Sequence, residues 1–138
     1  MKKTEKLRSK VTDFLKCDVL KRNPYDPIIV PPVDCLMTLL CLENACTDMK
    51  SYCDVLTNFK GLIKPGGHLL SLGALNANYF HIGKRRFATV AIKKEELETA
   101  FTEAGHQIER AVYVPRTNTR LEVSDYHSPY FIHARKPK

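Results

Sequence analysis

The sequence predicts an α/β protein in which a sheet containing a parallel crossover unit is flanked by helices, and three observations carry that reading. Val33 to Leu42 is almost continuously apolar, without the alternation of a strand that has one wet face, as expected of a strand buried on both faces. Met49, Tyr52, Cys53, Leu56 and Phe59 then recur at three- and four-residue steps, one stripe of an amphipathic helix. Lys64-Pro65-Gly66-Gly67 stops that helix, and the short apolar run His68 to Leu72 follows at once. Strand, helix and strand in this order make one right-handed crossover unit. At 138 residues, 43% of them hydrophobic, the chain is long enough for one core and too short for two.

The remaining elements follow in order. From Glu5 to Leu15, the apolar positions Leu7, Val11, Phe14 and Leu15 have helical spacing and predict a short amphipathic helix. Lys21 to Pro27, with two prolines and turn formers, is a loop. Thr47-Asp48 can cap the helix that carries Tyr52 and Leu56. A second helix over Lys94 to Ala104 places Leu97, Ala100, Phe101 and Ala104 on one face and ends at Gly105, a suitable C-terminal cap. Two further strands, Ile108 to Val114 and Tyr130 to Ala134, flank an aperiodic polar stretch from Pro115 to Pro129 and are expected to pair antiparallel.

The net charge of +7 is dispersed over Lys2 to Lys10, Lys84-Arg85-Arg86 and Arg135-Lys136-Pro137-Lys138. No aromatics interleave with these clusters, so they read as solvated surface and nucleic acid is not the expected partner. No apolar run approaches the length of a membrane span, and the charged start does not resemble a signal peptide, so a cytoplasmic protein without membrane contact is expected. Cys17, Cys35, Cys41, Cys46 and Cys53 are odd in number and lack the close pairing of a zinc site or redox dithiol; they read as reduced, mostly buried thiols. His68, His81, His106, His127 and His133 include no i, i+4 pair and no neighbouring cysteine, so no metal is assigned.

Beyond the general pattern, particular segments stand out: Lys16-Cys17-Asp18-Val19, Pro31-Pro32-Val33-Asp34-Cys35, Leu40-Cys41-Leu42-Glu43-Asn44-Ala45-Cys46 and Leu62-Ile63-Lys64-Pro65-Gly66-Gly67-His68-Leu69. With Ala74-Leu75, Tyr79, Ile82-Gly83, Phe87, Glu103-Ala104-Gly105 and Ala134-Arg135-Lys136, the chain resembles the nicotinamide, indolethylamine and phenylethanolamine N-methyltransferase family along nearly its whole length. The resemblance implies a Rossmann-like methyltransferase, of whose sheet this chain would supply the C-terminal half, strands 4-5-7-6 with the last pair antiparallel. It implies S-adenosyl-L-methionine as cofactor and methyl transfer to a small amine, pyridine or thioether.

Residue by residue, the resemblance places Asp18-Val19 beside the adenine and Leu39 against the cofactor at the end of its strand. Read from the residues alone, Asp18 is an ordinary acidic residue and Leu39 and Leu40 are core. Gly73, Ala74, Ala77, Tyr79 and Thr89 match the family's acceptor region. Tyr79 could offer an aromatic face to a cation, and Thr89 a hydroxyl, or both could simply pack. Gly73 stands where nicotinamide-type members carry Asp, which moves the expected acceptor toward an amine or thioether.

The family's Gly-rich turn, its ribose-binding acid and its lid tyrosines have no match among these residues; the glycines are at 61, 66, 67, 73, 83 and 105. Residues 1–138 are therefore expected to form one partial methyltransferase domain without the N-terminal cofactor-binding half, inactive alone. Val33 to Leu42 would then be an open apolar edge, inviting self-association or a partner. The alternative is a non-catalytic interaction module that keeps the sheet.

Overall fold

A computed structural model describes residues 2–117 and 123–138 of the chain. Its principal sheet has four strands, β1 (Val33–Leu39), β2 (Ile63–Leu75), β5 (Gln107–Tyr113) and β6 (Ser128–Arg135), in the spatial order β1-β2-β6-β5. β1 and β2 run parallel, while β6 is antiparallel to both β2 and β5. This is the expected block of strands, with the antiparallel pair at one end. Between β2 and β5 lie a separate hairpin, β3 (Tyr79–Ile82) and β4 (Arg85–Ala88), and a helix, α4 (Lys94–Glu103). The other helices are α1 (Lys3–Arg8), α2 (Leu42–Ala45) and α3 (Met49–Leu62). Among the described residues, no helix is long and apolar enough to cross a membrane.

One face of the sheet carries the core. Leu69 and Ser71 of β2 and Tyr130, Ile132 and Ala134 of β6 alternate inward and are buried beneath Tyr52, Leu56 and Phe59 of α3 and Leu97, Ala100 and Phe101 of α4. α3 starts where the sequence places its cap: Asp48 Oδ1 accepts from the Ser51 N–H at 2.7 Å. Its far end is held by Lys136, whose ammonium donates to the carbonyls of Lys60 (2.7 Å) and Ile63 (2.9 Å). The Lys136 backbone meanwhile exchanges hydrogen bonds with Gly66 and Gly67 at 2.9 Å each. Past α4, Gly105 adopts φ +80°, the left-handed turn required of it.

The structure corrects several expectations. The first helix spans only Lys3–Arg8 and buries none of its side chains; Phe14 is 93% exposed. A six-residue helix with no partner for its apolar face lacks the tertiary packing that sustains most helices. The run Val33 to Leu42 is not one strand but a strand, a turn at Leu40 (φ +50°) and the start of α2, where Leu42 is buried. Nor is β1 buried on both faces: Met37 is 62% and Leu39 55% exposed, because among the described residues β1 pairs only with β2 and nothing covers its second face.

Lys64 to Gly67 turns, but inside a strand. Val33 pairs with Ile63 and Cys35 with His68, so the four intervening residues bulge out, with Gly66 at φ +74°. Gly67 is pinned in this bulge, since a Cβ there would approach Ile63 Cγ2 to 2.7 Å and the Asp34 carbonyl to 3.0 Å. The cysteines are all free, but only Cys46 is buried; Cys41 and Cys53 are half-buried and Cys17 and Cys35 exposed. Part of the polar stretch between β5 and β6, residues 118 to 122, lies outside the described residues.

Candidate functional site

Open α/β sheets bind ligands at the carboxyl ends of their strands. There, where β1 and β2 end, two cavities lie on either side of the turn at Leu39-Leu40. The larger, about 340 Å³, is lined by Leu40, Leu72, Phe80, Tyr126 and Pro129, with Gly73, Ala74, Glu43, Asn44, Thr89 and Ser124 completing its wall. Leu40 reaches it from a left-handed backbone conformation that is costly for a branched side chain. Its N–H is fixed to the Leu72 carbonyl at 2.7 Å, and its own carbonyl accepts from the Asn44 amide at 2.8 Å.

Glu43 is the group with chemical leverage. It is only 2% exposed, on α2 just beyond the turn, and its Oε1 accepts from the Ala74 N–H at 3.2 Å. Burial outweighs that bond and pushes its carboxyl above the ordinary range. A carboxylate of raised basicity in an apolar cavity is suited to hold an N–H donor and to take up a proton.

Behind the wall, the Tyr52 and Tyr130 hydroxyls meet at 2.9 Å, and burial raises both, Tyr130 to about 12. Gly73 pairs directly with Tyr130 across β2 and β6. A Cβ at position 73 would lie 2.5 Å from the Tyr130 hydroxyl oxygen and 2.7 Å from its ring, so the missing side chain is the space the tyrosine occupies.

Of the acceptor residues proposed from sequence, Gly73, Ala74 and Thr89 lie on this wall, and Ala77 and Tyr79 do not. Thr89 donates its hydroxyl proton to the Ala77 carbonyl, which leaves the hydroxyl an acceptor for anything in the cavity. Ala77 is buried. The Tyr79 ring lies beneath the Arg86 guanidinium at 4.1 Å, a cation–π contact within the β3–β4 hairpin. The neighbouring Phe80, stacked on Phe87 at 5.2 Å, supplies the cavity's aromatic wall instead.

The smaller cavity, about 180 Å³, gathers Val19 and Leu39 with Tyr25, Leu36, Thr38 and Cys41. Asp18 is exposed beside it in a tight turn, one carboxylate oxygen accepting from the Leu20 N–H at 3.1 Å and its own N–H donating to the Pro24 carbonyl at 2.8 Å. The second oxygen of the carboxylate is left for another donor. Apolar walls next to an exposed carboxylate suit a flat heteroaromatic ring with an exocyclic amine.

Two features were missed in the sequence. Glu43 carries no sign of burial in the sequence, because α2 is a single turn without periodicity. The β3–β4 hairpin was legible in principle, as two aromatic-containing runs around Gly83 at φ +58°.

The model of the NNMT/PNMT/TEMT family matches residues 1–137. The chain belongs to the NNMT/PNMT/TEMT family. Within it, the chain is 38% identical over 135 residues to indolethylamine N-methyltransferase of Oryctolagus cuniculus, covering 98% of this chain and 51% of the relative. It is 43% identical over 107 residues to nicotinamide N-methyltransferase of Homo sapiens, covering 78% of this chain and 40% of the relative. The chain thus spans about half the length, or less, of these relatives. An S-adenosylmethionine-dependent methyltransferase structure from Clostridium acetobutylicum superposes with a TM-score of 0.65 at 14% identity, over 98% of this chain and 70% of that one. The fold of this NNMT/PNMT/TEMT member is accordingly Rossmann-like, a mixed sheet with flanking helices.

Proposed function

We propose that this chain forms the acceptor side of an S-adenosylmethionine-dependent N-methyltransferase acting on a small amine. The observation that carries the reading is the buried Glu43 carboxylate in the apolar cavity at the carboxyl end of the sheet. Family membership supports it, as do relatives that methylate indolethylamine and nicotinamide by name.

The residues present fit the adenine end of the cofactor: Val19, Leu36 and Leu39 make an apolar wall and Asp18 offers a carboxylate beside it. When bound, S-adenosylmethionine supplies a methyl group activated by a sulfonium. The chain's own residues do the positioning. Leu40, Leu72, Phe80 and Tyr126 exclude water and hold the acceptor's apolar body, Glu43 accepts an N–H and carries the proton it releases, and Thr89 offers an acceptor oxygen. Gly73, backed by Tyr130, offers no side chain to orient a carboxamide, which favours an amine or a thioether over nicotinamide.

We further propose that the chain alone transfers little or no methyl, and that its open β1 edge is where the rest of the cofactor site docks. A second reading, an interaction module without catalysis, draws on the same exposed Met37 and Leu39.

Calorimetric titration with an arylethylamine, with and without S-adenosylhomocysteine, tests the assignment. Binding that weakens about tenfold or more in Glu43→Gln is expected. Equal affinity in the chain and the variant would overturn the role of Glu43, and no amine binding together with a defined protein complex in a pull-down would favour the interaction module.

A further inference from the structure

At the opposite end of β2 from the acceptor cavity, strand pairing assembles a cluster that residue spacing conceals. His68 of β2 and His133 of β6 are diagonal neighbours on the antiparallel ladder, where His68 pairs with Arg135 and His133 with Leu70. Both lie on the face away from the core, since Leu69 and Ala134 between them are buried inward. His68 Nδ1 sits 2.9 Å from His133 Nε2. From the other side, the β5–β6 register passes from Ile108–Ala134 to Arg110–His133, so Glu109 is the extra residue of a bulge, and its Oε2 lies 3.7 Å from His133 Nε2.

We propose that His68, Glu109 and His133 bind a first-row divalent cation of the zinc class. One ligand atom from each residue lies within 4.8 Å of the other two. In a tetrahedral zinc site with bonds of about 2.0–2.1 Å, ligand atoms stand roughly 3.3 Å apart. Two of the three separations, 2.9 and 3.7 Å, bracket that spacing, and a side-chain rotation that draws Glu109 toward His68 would close the third from within 4.8 Å. Two imidazoles and one carboxylate are a ligand set that zinc takes with water in the fourth position. Arg135 supports the third ligand: its Nε is 3.4 Å from Glu109 Oε1, an ion pair that leaves Oε2 to the metal. Its positive charge works against the cation, but Glu109 already offsets it. The His133 and Glu109 side chains are 27% and 34% exposed, open enough for an ion to enter. The cation replaces the proton shared by the two imidazoles and ties together β2, β6 and β5.

The test is a Zn²⁺ titration of the full chain labelled with ¹⁵N-histidine. The ring nitrogens of His68 and His133 should shift together and saturate near one equivalent, while those of His81, His106 and His127 stay in place. By calorimetry, His68→Gln and His133→Gln should each weaken binding about tenfold or more, and Zn²⁺ should raise Tm in the original chain but not in His133→Gln. The free cysteines are the competing ligands. Zinc affinity unchanged in both glutamine variants, or His68 and His133 resonances that do not move up to millimolar Zn²⁺, would overturn the proposal.

Discussion

Glu43 shows how one buried carboxylate links stability to chemistry. Its folded-state carboxyl is raised above the unfolded value of 4.5, so the native state holds its proton more tightly than the unfolded chain. Stability therefore falls as pH rises from 4.5 through the folded value, and the full penalty of the ionised form is present above it. Glu43→Gln, which can still accept from the Ala74 N–H, is expected to raise stability at neutral pH and to flatten this slope in urea melts across pH, while losing amine affinity. Gly73 carries the opposite constraint. Gly73→Ala must displace the Tyr130 ring and is expected to cost about 1–3 kcal/mol, read by urea denaturation. In a Tyr130→Leu background that cost should shrink, and a double-mutant cycle would expose the coupling. The constraint on Gly73, a tyrosine 57 positions along the chain, exists only after β2 and β6 pair.

At the scale of elements, α3 depends on its cap. Asp48 is held below the usual carboxylate range by the Ser51 backbone N–H and hydroxyl, so the cap's contribution is present above pH 3.8 and fades as pH falls through the lowered folded value. Asp48→Ala should lower Tm by a few degrees at neutral pH, and the difference from the parent chain should narrow in acid. This helix was legible because its stripe, its cap and its stop agree, as were α4 with Gly105 and the antiparallel end of the sheet. An apolar run such as Val33 to Leu42 does not reveal where strand gives way to turn, because Leu40 adopts a left-handed backbone conformation that a glycine would announce and a leucine does not. The acceptor wall depends on which of two adjacent aromatics faces inward, and β3 turns Phe80 to the cavity while Tyr79 pairs with Arg86. The histidines looked scattered because their proximity is a matter of strand register.

For the molecule as a whole, the feature that stands out among the described residues is the unpaired edge and uncovered face of β1. Exposed Met37 and Leu39 on an open strand favour pairing with another chain, so we expect concentration-dependent association in sedimentation velocity, reduced by Met37→Lys. A sedimentation coefficient constant over concentration for the parent chain would contradict this. The other end of the fold is closed by the residue that follows β6. Lys136 clasps the end of α3 through its ammonium and the β2 bulge through its backbone. One residue thus acts as a rivet, and fraying of the chain there would unfasten a helix and a strand at once.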